Sequence, residues 1–213
     1  MIRISPSLLA CDFSDLKGEL NSISQADFLH VDVMDGLFVP NISFGLVETE
    51  AIHRSSPIPM DVHLMITHPQ NYVERFAQAG AEIISFHVES DCDIDECIQK
   101  IKACGKKAGL VINPATDLTE VLPRLKDLYL VLIMTVQPGF GGQKCKEECF
   151  DKVRALRAHI EKEGLATHIE VDGGITAENA PTAIAAGADI LVAGSSVFRE
   201  TDRNAAIRLL RGN

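Results

Sequence analysis

The chain has 213 residues, 46% hydrophobic and 23% charged, with a formal net charge of −10: enough for a substantial core under an ordinary water-facing surface. That acidic balance, with no basic run, excludes nucleic acid and an anionic membrane as partners, and no apolar run is long enough to span a bilayer. The start, Met1-Ile2-Arg3-Ile4-Ser5-Pro6, has no signal-peptide pattern, and none of Cys11, Cys92, Cys97, Cys104, Cys145 and Cys149 forms a C-x-x-C pair, so the expectation is a cytoplasmic protein with free thiols.

Taken in order, short apolar strands alternate with helical patterns. Strands are predicted at residues 2–5, 28–32, 60–64, 83–87, 107–112, 129–134, 168–171 and 190–192. A helical run at 13–24 opens with Asp12 and Ser14 as caps. Another follows Thr67-His68-Pro69, carries Tyr72, Val73 and Phe76 on one face and stops at Gly80. A third starts at Cys149, carries Phe150, Val153, Leu156 and Ile160, and stops at Gly164. Proline near a helix start and glycine past its end are the expected punctuation. The junction Ala26-Asp27-Phe28-Leu29 recurs as Ala81-Glu82-Ile83-Ile84 and as Ala188-Asp189-Ile190-Leu191. At roughly 27 residues per strand–helix unit these lie two and four units apart, before strands two, four and eight. Eight such units predict a single-domain (β/α)8 barrel over residues 1–213, with no linker and no composition shift, rather than an open sheet.

In such a barrel the site lies at the C-terminal strand ends. Strand two runs into His30-Val31-Asp32-Val33-Met34-Asp35-Gly36, where alternation points His30 and Asp32 the same way. Strand three offers His63, within Asp61-Val62-His63-Leu64-Met65, and strand seven offers Asp172, within Glu170-Val171-Asp172-Gly173-Gly174. Two imidazoles and two carboxylates converging on one mouth suit a divalent metal, with Zn²⁺, Fe²⁺, Mn²⁺ and Co²⁺ all compatible; the plain alternative is four hydrogen-bonded rim residues. Asp32 and Asp172, from strands far apart around the ring, are candidates to flank a substrate and share one proton. One would remove a proton beside a ketone and the other return it to the opposite face. Asp35 reads as a turn cap and Asp61 as a residue that orients a ligand. His87 faces the mouth without an evident partner, and His53, His68, His159 and His168 read as surface or cap residues.

Glycine-rich turns follow strands six, seven and eight: Gln137-Pro138-Gly139-Phe140-Gly141-Gly142-Gln143, Asp172-Gly173-Gly174 and Ala193-Gly194-Ser195-Ser196. Their backbone N–H groups can approach an oxyanion without help from arginine or lysine, so they form a candidate phosphate cradle, with the Phe140 turn a candidate lid. Met34, Met65 and Met134 each end a strand; core filling is the ordinary role of methionine, and at the mouth three would make a water-poor wall. Ser7, after strand one, is either a helix cap or a hydroxyl for a substrate oxygen.

These motifs together, from Ser5-Pro6-Ser7-Leu8-Leu9 to Gly194-Ser195, resemble the ribulose-phosphate 3-epimerase family over essentially the whole chain. The resemblance implies a metal-dependent barrel of the ribulose-phosphate-binding type. Its activity is the interconversion of D-ribulose 5-phosphate and D-xylulose 5-phosphate, by two-base proton transfer at C3 through a metal-stabilised enediolate. It implies His30, Asp32, His63 and Asp172 as ligands of one divalent ion per chain, zinc foremost, and Asp32 and Asp172 as the acid/base pair. It implies Ser7 and His63 as sugar contacts and Met34, Met65 and Met134 near the reacting carbons. Gly139, Phe140, Gly141, Gly142, Asp172, Gly173, Gly174, Gly194 and Ser195 fall around the substrate, mostly its phosphate. The sister enzyme acting on D-allulose 6-phosphate is the rival expectation, and a non-catalytic sugar-phosphate-binding barrel is a second. A decarboxylase or aldolase would want a lysine at the mouth, and Lys107 begins strand five at the wrong end. A homo-oligomer is compatible with the sequence.

Overall fold

The computed structural model describes residues 1–212. Eight strands form one parallel sheet in the order β1-β8-β7-β6-β5-β4-β3-β2: β1 Arg3–Pro6, β2 Leu29–Met34, β3 Met60–Met65, β4 Ala81–His87, β5 Lys107–Ile112, β6 Leu130–Met134, β7 His168–Asp172 and β8 Ile190–Ala193. A parallel bridge between Ser7 and His30 joins the two ends of that order and closes the ring. The helices are α1 Leu16–Ser22, α2 Leu46–Ser55, α3 Val73–Gln78, α4 Ile94–Ala103, α5 Phe150–Lys162, α6 Ala180–Ala186, α7 Ser195–Phe198 and α8 Arg203–Leu210. This is a (β/α)8 barrel with one irregular unit. Between β5 and β6 the chain makes two 3-10 turns, Leu118–Glu120 and Leu122–Asp127, the second carrying Pro123 in its first turn; one α-helix running through both would place Pro123 in its interior, where the missing N–H is needed.

The predicted strands fall on observed ones with ends shifted by at most two residues. The predicted first helix is split: a 3-10 turn spans Phe13–Asp15 and α1 follows. Asp12 caps that turn by accepting from the Ser14 N–H, whereas Ser14 is not a cap; its own hydroxyl donates to Asp12. Asp15 starts the α-helix by accepting from the Gly18 N–H. The runs after Pro69 and at Cys149 likewise open on 3-10 turns, with α3 beginning at Val73 and α5 at Phe150.

Strand alternation divides the barrel. Leu29, Val31, Val33, Val62, Leu64, Ile84, Phe86, Ile169 and Val171 point outward and join one core with the inner faces of the helices, including Ile52, Phe76, Ile101, Leu156 and Ile207. Inside the barrel the contents differ by side. Phe28, Ile83, Val111, Leu130, Leu132, Met134 and Ile190 form a separate apolar cluster. Ser5, His30, Asp32, Asp61, His63, Ser85, His87 and Glu170 are buried polar groups that alternate with the outward residues on β1 to β4 and β7. Parallel strands usually read as unbroken apolar runs; here His30-Val31-Asp32 and Glu170-Val171-Asp172 break that habit.

Gly109 of β5 sits where the two halves meet. A Cβ there would lie 2.7 Å from Leu130 Cδ1 and 2.9 Å from Ser85 Cβ. Gly109→Ala should therefore cost about 1 to 3 kcal/mol of stability by overpacking, measured as a lowered urea midpoint with an unchanged slope; an unshifted midpoint would mean that the barrel interior has slack at this level.

Candidate metal and phosphate site

At the C-terminal strand ends lies an open cavity of about 790 Å³. Ser7, Asp32, Met34, Met65, Met134 and Asp172 line it on the barrel side; Gly139, Phe140, Gly141, Gly142, Gly173, Gly174, Gly194 and Ser195 line it on the loop side. His30 and His63 are fully buried beneath that surface.

The sheet register explains how the polar cluster forms. His30 is paired with Asp61, and Asp32 with His63, so each imidazole has a carboxylate beside it on the next strand, while Met134 is paired with Asp172. One ligand atom from each of His30, Asp32, His63 and Asp172 can be chosen so that all lie within 4.8 Å of one another. His30 Nδ1 is 2.8 Å from Asp61 Oδ2, and Asp61 Oδ2 also accepts from Ser5 Oγ at 3.2 Å. With its proton at Nδ1, His30 turns Nε2 toward Asp32 Oδ1 at 3.4 Å and Asp172 Oδ2 at 4.0 Å. That nitrogen is buried without a hydrogen-bond partner. His63 Nδ1 lies 3.3 Å from the same Asp32 oxygen, and Ser7 Oγ donates to the other, Oδ2, at 2.6 Å.

Charge at this spot is finely divided. Burial opposes ionisation of Asp32, but the neighbouring His30 and His63 rings outweigh burial and hold its carboxyl well below the usual range. Asp172 goes the other way: burial, then the Asp32 charge, push it up to about 7. Two carboxyls with such unlike environments separate into an ionised one and a proton carrier near neutrality. Burial also lowers His63 to about 4, so this ring is neutral. For His30 burial favours the neutral ring, but the Asp61 and Asp32 carboxylates overcome it and raise its pKa well above normal. The site thus calls for positive charge between these atoms, which a proton or a cation can supply. The orphaned His30 Nε2, with a donor set of two imidazoles and two carboxylates, fits a divalent metal ion; the set does not select among zinc, iron, manganese and cobalt.

Several residues take other parts than the sequence suggested. Asp61 orients a histidine, but it is His30 across the sheet rather than His63 on its own strand. Asp35 is a turn cap as its sequence suggests, accepting from the Leu37 and Phe38 N–H groups and from the Thr67 N–H. His87 does have partners: its Nε2 is 2.9 Å from His63 Nε2. Glu170 went unnoticed in the sequence, yet it is fully buried with neither oxygen hydrogen-bonded, and its carboxyl groups with His30 and Asp61. Burial and the Asp61 charge raise its pKa well above the usual value. Its place in Glu170-Val171-Asp172, one alternation below Asp172, was the available signal. All six cysteines are free, as expected, and Cys145 and Cys149 pack into the core.

On the loop side, the turns after β6 and β7 are stitched together. Thr135 Oγ1 donates to the carbonyls of Asp172 and Gly173, at 2.9 and 2.6 Å, and Asn179 Nδ2 donates to the Gly174 carbonyl at 3.0 Å. The Phe140 turn is tied by Gln143 Nε2, which donates to the carbonyls of Gln137 and Phe140, and Asn41 Nδ2 donates to the Gly139 carbonyl at 3.0 Å. Phe140 itself is 56% exposed at the rim. The cavity wall also carries Lys144 and Arg199, so this end is not free of basic side chains as the glycine pattern alone implied. No helix among the described residues is long and apolar enough to cross a membrane.

The model of the ribulose-phosphate 3 epimerase family matches residues 3–198. Ribulose-phosphate 3-epimerase of Bacillus subtilis (strain 168) is 45% identical over 216 aligned positions, covering all of both chains. The protein of the same name from Synechocystis sp. is also 45% identical, over all of this chain and 94% of the relative. Among solved structures, 3-hexulose-6-phosphate synthase from Salmonella typhimurium superposes with a TM-score of 0.75 over 99% of this chain and 97% of that one, at 17% identity; that likeness speaks to the fold alone.

Gly174, at φ +65°, joins the two glycine turns: a Cβ there would lie 2.4 Å from the Cys145 nitrogen and 2.5 Å from the Gln143 carbonyl oxygen. Gly174→Ala should lose at least about 2 kcal/mol, from left-handed backbone strain and from contact with main chain that cannot rotate away. Urea unfolding would measure it; a loss below about 0.5 kcal/mol, the range of ordinary surface substitutions, would show that the turns are not locked together.

Proposed function

Because the chain belongs to the ribulose-phosphate 3-epimerase family, a family of isomerases, we propose that it interconverts D-ribulose 5-phosphate and D-xylulose 5-phosphate. Proton transfer at C3 would be shared between Asp32 and Asp172. The observation that carries this reading is geometric: Asp32 on β2 and Asp172 on β7 both line the cavity and lie in one cluster with His30 and His63, and their unlike surroundings favour an ionised Asp32 and a protonated Asp172 when no cation is bound. Epimerisation needs that pair, since one group must take a proton from one face of the sugar and another must return a proton to the opposite face of a planar enediolate.

His30 Nε2, His63, Asp32 and Asp172 are the groups that would hold one divalent ion, zinc first among the compatible metals, and such an ion supplies Lewis-acid stabilisation of the oxygen charge that develops when C3 loses its proton. Asp32 takes that proton in one direction, and Ser7 Oγ, donating at 2.6 Å, holds its carboxylate in place. Asp172, with 16% of its side chain exposed to the cavity, delivers a proton in that direction and removes one in the reverse. Met34, Met65 and Met134, nearly fully buried and lining the cavity, exclude water beside the reacting carbons. The glycine turns around Gly139 to Gly142, Gly173, Gly174, Gly194 and Ser195 receive the phosphate through main-chain N–H groups.

Two outcomes test the reading. Asp172→Asn should lower epimerisation by about 10²- to 10⁴-fold in a folded protein, while deuterium from solvent still enters C3 of one of the two epimers through Asp32. Turnover within tenfold of the parent would refute the two-base scheme, and no exchange at all in the parent enzyme would favour a binding protein. A phosphate anchored by turns that Thr135 and Asn179 fix in place should also measure sugar length. We therefore expect kcat/KM on D-ribulose 5-phosphate to exceed that on D-allulose 6-phosphate by about tenfold or more; the opposite ratio would assign the chain to the longer sugar.

A further inference from the structure

Behind His63, on the side away from the cavity, lies a chain of hydrogen-bonding groups that runs to the protein surface. His63 Nε2 is 2.9 Å from His87 Nε2. His87 Nδ1 is 3.1 Å from Glu89 Oε2. Glu89 Oε1 in turn accepts from the Asn113 N–H at 2.9 Å and from the Thr116 hydroxyl. Both rings are fully buried and stack at 5.0 Å with 28° between their planes, and Phe38 packs on the His87 ring at 4.8 Å.

The direction of every proton in this chain follows from its Glu89 end, because Asp32 at the other end already accepts from Ser7 Oγ at 2.6 Å and its contact with His63 Nδ1 is the longest of the series at 3.3 Å. The Asn113 N–H can only donate, so Glu89 must present an oxygen to it. A carboxylate can only accept, so His87 carries its proton at Nδ1 and offers a lone pair at Nε2. His63 must then donate from Nε2, which leaves Nδ1 bare. That bare nitrogen is the one 3.3 Å from Asp32 Oδ1, facing the same spot as the orphaned His30 Nε2. We propose that Glu89, through His87, is a positioning residue that fixes His63 in the tautomer with Nδ1 unprotonated and turned to the candidate metal centre. Glu89 touches neither substrate nor metal; it acts by dictating which nitrogen of a ring two residues removed carries the hydrogen. The proposal rests on the reading of His63 as a metal ligand for its purpose, though not for its geometry.

The discriminating variant is Glu89→Gln. It keeps size and shape, so a merely structural role would survive. The Asn113 N–H and the Thr116 hydroxyl still require the oxygen, which turns the new amide NH₂ toward His87 Nδ1. His87 would then donate from Nε2, and His63 would take its proton at Nδ1. Nitrogen-15 NMR of histidine-labelled, metal-free protein reads the tautomer directly. The parent should show His63 with a bare Nδ1, Glu89→Gln should show it reversed, and Glu89→Ala, with no acceptor, should show a mixture. Zn²⁺ affinity by chelator competition should fall about 10- to 100-fold in Glu89→Gln. If His63 keeps a bare Nδ1 in both variants and zinc binds within twofold of the parent, the proposal is overturned. If instead zinc leaves the His63 Nδ1 resonance of the parent unmoved, the metal-ligand reading fails, and the tautomer measurement still decides whether the relay exists.

Discussion

Four carboxyl groups crowd into the half of the barrel nearest the mouth, with two imidazole rings among them, and the rest of the site follows from how that negative charge is tolerated. Asp61 and Glu170 are fully buried, Asp32 nearly so, and burying charge without compensation is among the largest penalties a fold can carry. Protons answer part of it. Glu170 is pushed toward its neutral form, Asp172 to about 7, and His30 toward its charged form. A divalent ion would answer it differently, displacing protons and leaving the carboxylates ionised. The demand for positive charge is a property of the folded chain itself, and it is what makes one interior point of a protein of net charge −10 a candidate site for a cation.

The remainder of the barrel is arranged to bear that cost. β5, β6 and β8 contribute apolar residues to the interior, and every strand contributes its outward residues to a continuous core beneath the helices. Polar groups are confined to the inward positions of β1 to β4 and β7, and most are hydrogen-bonded across the sheet. The exceptions, His30 Nε2, Asp61 Oδ1, Ser85 Oγ and both Glu170 oxygens, cluster within that polar half. Barrels of this kind keep stability at one end and chemistry at the other, and here the division also runs around the ring.

Much of this was legible in the sequence, and the reason is geometric. Alternation along a strand has a period of two, so His30 with Asp32 and Asp61 with His63 declare a shared face from spacing alone. Eight short apolar runs with repeated Ala-Asp or Ala-Glu junctions give the barrel. What spacing cannot give is register between strands. The pairing of His30 with Asp61 depends on how β2 and β3 slide past one another, so Asp61 was read beside His63 when its hydrogen bond is to His30. Glu89 was missed, and His87 left without a partner, for a related reason: the groups they meet, His63, Asn113 and Thr116, lie on two other segments.

Register also explains why two histidines would meet one ion through different nitrogens. His63 is level with Asp32, while His30, paired with Asp61, sits one alternation deeper in the barrel. A ring at the deeper level reaches the mouth only with its far nitrogen, Nε2; a ring at the level of the site reaches it with the near one, Nδ1. The two rings must therefore carry their protons on opposite nitrogens, and each needs its own acceptor. For His30 that acceptor is Asp61, beside it in the same polar layer. For His63 the proton points sideways along the ring, where no carboxylate is in reach, and His87 stands between it and the nearest one. On the proposed reading, the longer relay from Glu89 is the consequence of placing two ligands on adjacent strands at unequal depth.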